Sequence, residues 1–215
     1  MERLTSKFFD RDAALVAEEL LGKVIYREVE GVPLRVMVIE TECYYLADKG
    51  SHASLGYTEK RSPLFMVGGT VYMYYARGGD SLNISSRGEG NAVLIKSGIP
   101  WGNSEEGIEL MQRLNPVNGR LREPERLCSG QTLLCKSLNL KVPEHSGVGI
   151  DEADFCFLND GDNPEEIIQT TRLGIPEGRD EYLPYRFIHK SYAGYCTKNP
   201  LTMKNPPPYS LSLQK

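Results

Sequence analysis

Four apolar residues follow one another from Val36 to Ile39, with Val36 and Val38 on one face of an extended chain and Met37 and Ile39 on the other. A strand that is apolar on both faces has to lie inside a sheet covered on both sides. The run then breaks into Glu40-Thr41-Glu42-Cys43-Tyr44. Side chains alternate along a strand, so Glu40, Glu42 and Tyr44 are expected to leave one face where the buried strand emerges. A carboxylate at the mouth of a core, two residues from an aromatic ring, suits general-base chemistry on a flat ligand. Taken alone, the segment fits a solvated strand end or one half of an ion pair better than a functional site. The residues downstream reverse that balance.

The surrounding pattern predicts an α+β fold: a single domain with a curved antiparallel sheet, flanking helices and a protruding β-hairpin. Asp10 reads as the cap of a helix running from Arg11 to Leu21, with Gly22 as its stop. Strands are expected at Lys23 to Glu28 and Leu34 to Glu42, joined around Gly31. Val71 to Tyr75 and Leu82 to Ser85 read as a hairpin around Ala76-Arg77-Gly78-Gly79-Asp80. Another strand follows from Ala92 to Lys96. Helices are expected from Ser104 to Leu114 and Ser129 to Leu138, and strands at Phe155 to Leu158 and Glu166 to Thr171. This order lacks the strand–helix alternation of a parallel sheet. Residues 1–215 form one domain in this reading, with 205–215, which contains Asn205-Pro206-Pro207-Pro208, a flexible tail.

A chain of 215 residues buries a substantial core without staples. Its five cysteines are odd in number and scattered, with no histidine at a metal spacing, so reduced thiols and a cytosolic compartment are expected. Met1 to Thr5 lacks the apolar core and cleavage site of an export signal, and no apolar run approaches membrane-spanning length. The net charge of −4 argues mildly against a non-specific nucleic-acid binder. It hides an asymmetry: after Glu181 there are no acidic residues, while Arg186, Lys190, Lys198, Lys204 and Lys215 remain. Local field decides whether a polyanion docks, and that stretch fits a mobile basic tail or a phosphate-binding rim equally well.

His52 lies in a small-residue loop, Lys49-Gly50-Ser51-His52-Ala53-Ser54. Tyr72 and Tyr74 share one face of the hairpin strand, and Asn83 begins the returning strand, where it is expected to lie near Tyr74. Singly, these are a solvated loop histidine, sheet packing and a strand-end amide. Together they place a carboxylate, a histidine, tyrosines and an amide on neighbouring strands, a set that can enclose a flat heterocycle and bond its edge as base-flipping enzymes do. Arg77 sits in a glycine-rich hairpin tip whose backbone permits close approach to a partner. Ser129-Gly130 at a helix start reads as an ordinary serine cap.

These residues resemble the alkyladenine DNA glycosylases, also called 3-methyladenine DNA glycosylases of the alkylpurine type. The motifs that carry the resemblance are Ile39-Glu40-Thr41-Glu42-Cys43-Tyr44, Ser51-His52-Ala53, Leu64-Phe65-Met66 and Gly69-Thr70-Val71-Tyr72-Met73-Tyr74. They continue with Leu82-Asn83-Ile84-Ser85-Ser86, Ala92-Val93-Leu94-Ile95-Lys96, Leu127-Cys128-Ser129-Gly130 and Arg172-Leu173-Gly174-Ile175. They stand in the family's order from about Phe8 to Ile188.

The resemblance implies a base-excision enzyme that hydrolyses the N-glycosidic bond of alkylated or deaminated purines in double-stranded DNA. Glu42 matches the general base that deprotonates a water attacking C1′. Tyr44, His52 and Tyr74 match the side chains around the extruded base, Asn83 the amide at the pocket's edge, and Leu173 a position whose backbone carbonyl helps to hold the water. There are two departures. The family often carries a tyrosine at the hairpin tip as the intercalating wedge; here the tip is shorter and Arg77 is the candidate, able to stack and to bond phosphate. Lys96 stands where the family commonly has arginine near the catalytic water and lacks the planar fork. An electrostatic or water-orienting role is expected of Lys96, giving a monofunctional glycosylase; a Schiff-base role is the alternative. No cofactor or metal is required. A monomer in the cytoplasm (bacterial nucleoid) or nucleus follows from the resemblance. A non-catalytic damage-binding module and a hydrolase of free nucleosides are the competing readings.

Overall fold

The computed structural model describes residues 2–76 and 78–213. In chain order the strands are β1 (Glu2–Leu4), β2 (Val24–Val29), β3 (Val32–Tyr44), β4 (Val71–Ala76), β5 (Gly79–Ser85), β6 (Ala92–Pro100), β7 (Phe155–Asn159), β8 (Glu166–Thr170), β9 (Arg186–His189) and β10 (Tyr209–Leu213). The helices are α1 (Ser6–Phe9), α2 (Ala13–Glu19), α3 (Glu105–Leu114), α4 (Gln131–Ser137) and α5 (Val142–His145). The strands form one antiparallel sheet in the order β1-β7-β2-β3-β6-β5-β4, with β9 joining β3 to β8 and β10 closing beside β8. The fold is α+β.

β3 is the spine of this sheet. Along one edge it pairs first with β2 and then with β9, and along the other with β6. Leu34, Val36 and Val38 enter the main core with Phe9, Val16, Phe157 and the helices, while Met37 and Ile39 enter a second cluster with Ile168, Ile188 and Cys196. Burial of such side chains contributes roughly 1.5–3 kcal/mol each, which is why the doubly apolar run sits at the centre. The β2–β3 turn places Glu30 and Gly31 at φ 55° and 78°, the two-residue geometry that matches strand twist.

Helix α2 begins later than expected. Asp12, not Asp10, is its cap, with Oδ1 accepting from the N–H groups of Ala14 (3.0 Å) and Leu15 (3.2 Å). The backbone N–H of Asp10 instead donates to Ser6 O at the end of α1. Seven residues are too few for a helix to stand alone in water, and α2 is held by its buried Ala13, Val16 and Ala17. Gly22 follows at φ +80°, where a Cβ would lie 2.3 Å from the Asp162 carbonyl oxygen.

The hairpin β4–β5 is braced on one side: a Cβ on Gly79 would meet Thr132 Cγ2 at 2.0 Å, and Asp80 Oδ1 accepts from the Val142 N–H at 3.1 Å. Its register opposes Asn83 to Tyr72 and Ser81 to Tyr74, so Asn83 stands diagonally across from Tyr74 on the same face. The segment expected to be a tail also contains a strand. Tyr209–Leu213 pairs with β8 over five residues, from Tyr209↔Thr170 to Leu213↔Glu166. Pro208 O accepts from Thr170 Oγ1 at 3.0 Å, so the prolines deliver the chain to an edge that would otherwise be open. Among the described residues no helix is long and apolar enough to cross a membrane, and all five cysteines are free.

Candidate active site

A cavity of about 640 Å³ opens between the ends of β3, the β4–β5–β6 face, the loop carrying His52, the start of α4 and the Leu173–Pro176 segment. That volume lies within the range of small-molecule clefts. Tyr44, His52, Tyr74, Asn83, Lys96 and Leu173, all expected from the sequence, line it. Arg77 lies outside the described residues; its neighbour Ala76 also lines the cavity.

Glu42 does not reach the surface of this cavity. Its side chain is fully buried, which corrects the expectation of a carboxylate at an open mouth. It stands one layer behind the wall, held by three wall residues. Tyr44 donates its hydroxyl to Oε2 at 2.6 Å, the Leu173 N–H donates to Oε1 at 3.3 Å, and Lys96 Nζ lies 3.4 Å from Oε1. The backbone contact of Leu173 is thus made by its amide to the carboxylate.

Two bulges aim these groups. Val38 opposes Gly98, Glu40 opposes Ser97 and Thr41 opposes Ile95, so Ile39 is an extra residue on β3 and Lys96 an extra residue on β6. Bulges re-aim side chains next to functional sites. Before the irregularity Val36 and Val38 face the main core; after it Thr41 and Cys43 do, with Thr41 Oγ1 bonding Ala17 O at 2.7 Å. Glu40, Glu42 and Tyr44 therefore share the opposite face, as alternation along this half of the strand requires. Glu40 is fully buried there in a closed network with Arg186, Ser97 and Thr197, the ion-pair half that the sequence left open.

Electrostatics separates the roles of the groups. Burial pushes the Glu42 carboxyl up, but the opposing effects of Lys96, the Tyr44 hydroxyl, Arg186 and the Leu173 N–H hold it below the ordinary 4.5. It is an anion at neutral pH. Burial, together with the Glu42 charge and hydrogen bond, raises the Tyr44 phenol well above its ordinary value, so Tyr44 stays a donor. Burial and then the charges of Arg61 and Arg179 lower His52, leaving a neutral imidazole whose Nδ1 shares a 3.0 Å hydrogen bond with the Tyr72 hydroxyl. The His52 ring stands edge-on to Tyr74 at 4.4 Å between centroids, and Tyr72 and Tyr74 lie 5.9 Å apart. This side of the cavity is aromatic, and its three rings carry no charge.

Sequence reasoning did not single out Tyr72, Gln131 or Arg172 as site residues. Tyr72 was legible as the face-mate of Tyr74. Gln131, whose Nε2 donates to Tyr74 Oη (3.2 Å) and Ser81 Oγ (2.8 Å), fixes one wall from the first turn of α4. Asn83 uses Nδ2 on Tyr72 O at 3.2 Å, a bond that anchors its amide at the cavity edge. Among the described residues no group of three His, Cys, Asp or Glu side chains is placed to hold a metal.

The family profile of methylpurine-DNA glycosylase matches residues 7–193. A protein of Pseudomonas aeruginosa strain UCBPP-PA14, named "Putative 3-methyladenine DNA glycosylase", is 58% identical over 202 residues, covering 92% of this chain and 84% of its own. A protein of the same name from Pseudomonas savastanoi pv. phaseolicola is 58% identical over 202 residues, with 92% and 91% covered. One from Clostridium beijerinckii is 34% identical over 193 residues, with 86% and 94% covered. The site residues stand on strands and loops inside the matched span, and by that match the chain belongs to the methylpurine-DNA glycosylase family: it is a DNA-repair enzyme that hydrolyses N-glycosyl bonds.

Proposed function

We propose that the enzyme extrudes a damaged purine from duplex DNA into the cavity and hydrolyses its N-glycosidic bond with Glu42 as general base. The observation that carries this reading is a carboxylate kept ionised by three groups that themselves line the cavity. Tyr44 forms one side of the base slot, with His52, Tyr72 and Tyr74 opposite and Asn83 at its edge. Among the described residues only the Tyr44 hydroxyl donates to Oε2, and a carboxylate oxygen takes two, so a water entering beside Tyr44 finds an acceptor. Glu42 takes a proton from that water as its oxygen bonds to C1′. The C1′–N bond breaks, the base leaves with the electron pair, and an abasic site remains.

A cationic alkylated purine is already a good leaving group and needs little more than the oriented water and a negative charge near the developing oxocarbenium-like sugar. Deaminated purines are neutral and depend more on that water. Extrusion costs a few kcal/mol and least for a damaged or mismatched pair, so selection begins before the pocket fills. Lys96, engaged in its ion pair with Glu42, orients water and offsets charge without a covalent adduct, which makes the enzyme monofunctional. Ala76 lines the cavity and Gly78 turns the chain at φ +83°; Arg77, between them in sequence, is assigned the wedge.

The test is excision from duplex oligonucleotides carrying 1,N6-ethenoadenine, hypoxanthine or a 3-methyladenine analogue. Abasic sites should accumulate without strand cleavage, and borohydride should trap no adduct. Glu42→Gln should slow release by roughly 10²–10⁴. Equal rates for the two proteins would remove Glu42 from the mechanism.

A further inference from the structure

Arg172 and Asp48 stand outside this set, and neither lines the cavity that holds it. Their side chains are 0% and 2% exposed, and the guanidinium meets the carboxylate through two bonds, Nη1 to Oδ2 and Nη2 to Oδ1, the latter 2.9 Å. A buried ion pair is weak evidence of stabilisation, because desolvation offsets much of the attraction. What it touches is more telling. The guanidinium carbon lies 4.5 Å from the centroid of the Tyr44 ring and so covers that ring from behind the cavity wall, while Nη1 also bonds Cys43 O at 3.3 Å. Asp48 Oδ1 accepts from the Gly50 N–H at 2.8 Å, and its carbonyl accepts from the Ser51 N–H at 2.9 Å; both fix the loop that delivers His52. The next residue after Arg172 is Leu173, whose N–H reaches Glu42.

We infer that Arg172 and Asp48 are the positioning pair of the excision reaction: one buried fork sets the Tyr44 ring, the His52 loop and the Leu173 amide in a single frame around Glu42. The inference rests on Glu42 being the base. It makes the bidentate geometry essential, because a lysine retains the charge but neither the fork nor the planar surface that covers Tyr44.

The experiment compares Arg172→Lys, Gly50→Ala and Glu42→Gln with wild type, in single-turnover excision from an ethenoadenine duplex as a function of pH, in binding of a duplex carrying a tetrahydrofuran abasic analogue, and in thermal unfolding. Arg172→Lys should lose about tenfold to a hundredfold in the excision rate, the loss expected when a reacting group is misplaced by about an ångström, with binding of the abasic analogue retained. The acid limb of its rate profile should move to higher pH, because Glu42 loses the Leu173 N–H while Lys96, Tyr44 and Arg186 remain. A merely structural staple would lower the unfolding temperature and leave that limb in place. Gly50→Ala keeps every charge and carries the comparison if the lysine variant fails to fold: its new Cβ would press on Arg172 Nη2 and Asp48 Oδ1, both at 3.1 Å. A slower rate with a displaced limb supports positioning, and wild-type rate and limb overturn it. If Glu42→Gln excises at the wild-type rate, the base assignment itself has failed. If Glu42→Gln is inactive while the other two behave as wild type, the positioning role alone is lost.

Discussion

Glu40 and Glu42 are the same residue type, two positions apart on one strand and one face, and both are fully buried. They differ in what surrounds them. Glu40 accepts from Arg186 Nε (2.7 Å), Ser97 Oγ (2.5 Å), Thr197 N–H (3.0 Å) and Thr197 Oγ1 (2.6 Å). Its cation is completely enclosed, whereas the Lys96 side chain facing Glu42 is 12% exposed. The first carboxylate is saturated by the fold; the second is held by residues that a ligand would touch. Burial therefore does not tell a structural acid from a catalytic one, and the location of the partners does.

Exchanging each for glutamine is the most direct way to break this comparison. Glu42→Gln should cost roughly two to four powers of ten in excision rate, with a smaller fall in unfolding temperature than Glu40→Gln because Lys96 keeps contact with water. Glu40→Gln should do the reverse. It leaves the enclosed Arg186 uncompensated, at about 3–5 kcal/mol in urea unfolding, while the folded fraction excises near the wild-type rate. If both variants lose activity alone, the two carboxylates belong to one functional unit and the distinction fails.

Lys96→Gln sharpens the contrast by a smaller step. Lys96 is the leading group holding the Glu42 carboxyl down against burial. A carboxyl held below its unfolded value is ionised, and stabilising, above that value, and both effects fade as pH falls through the folded value. Wild-type excision should therefore persist to below 4.5, unless acid unfolding intervenes. In Lys96→Gln the acid limb should shift upward and the rate at neutral pH fall by about tenfold, the equivalent of roughly 1.4 kcal/mol. An unmoved limb would place the lysine's influence elsewhere. The smallest effect is expected for Leu173→Ala, since its N–H and not its side chain meets Glu42. Its rate should stay within about threefold of wild type, a change under 1 kcal/mol.

What the sequence made legible follows range of interaction. The doubly apolar run of β3, the hairpin and the aromatic face of β4 are local patterns, and they stand where periodicity put them. The cap of α2 slipped by two residues because two aspartates competed and α1 claimed the first. The network around Glu40 depends on Arg186, 146 residues away, and the support of Glu42 on Leu173, 131 residues away; neither leaves a periodic trace. β9 is only four residues long, too short to show a period, and β10 alternates as Tyr209-Ser210-Leu211-Ser212-Leu213 but follows three prolines that read as the start of a tail. Of the wall residues, Tyr44, His52, Tyr74 and Asn83 were legible as a set on neighbouring strands and Lys96 and Leu173 only through the family motifs, whereas Arg172, inside one of those motifs, and Asp48, outside them all, act from behind the wall and carried no signal of their own.

The paired insertions at Ile39 and Lys96 join two reading frames of one ribbon, each offset cancelling the other within three rungs of the ladder. Loss of a paired residue from β3 would turn one half of the strand over, presenting Cys43 where Glu42 now stands, whereas loss of the extra Ile39 would leave Val38, Glu40 and Thr41 in strict alternation. Length in the paired part of β3 is therefore constrained twice over, since one alternation sets both which residues fill the core and which acid faces the cavity wall.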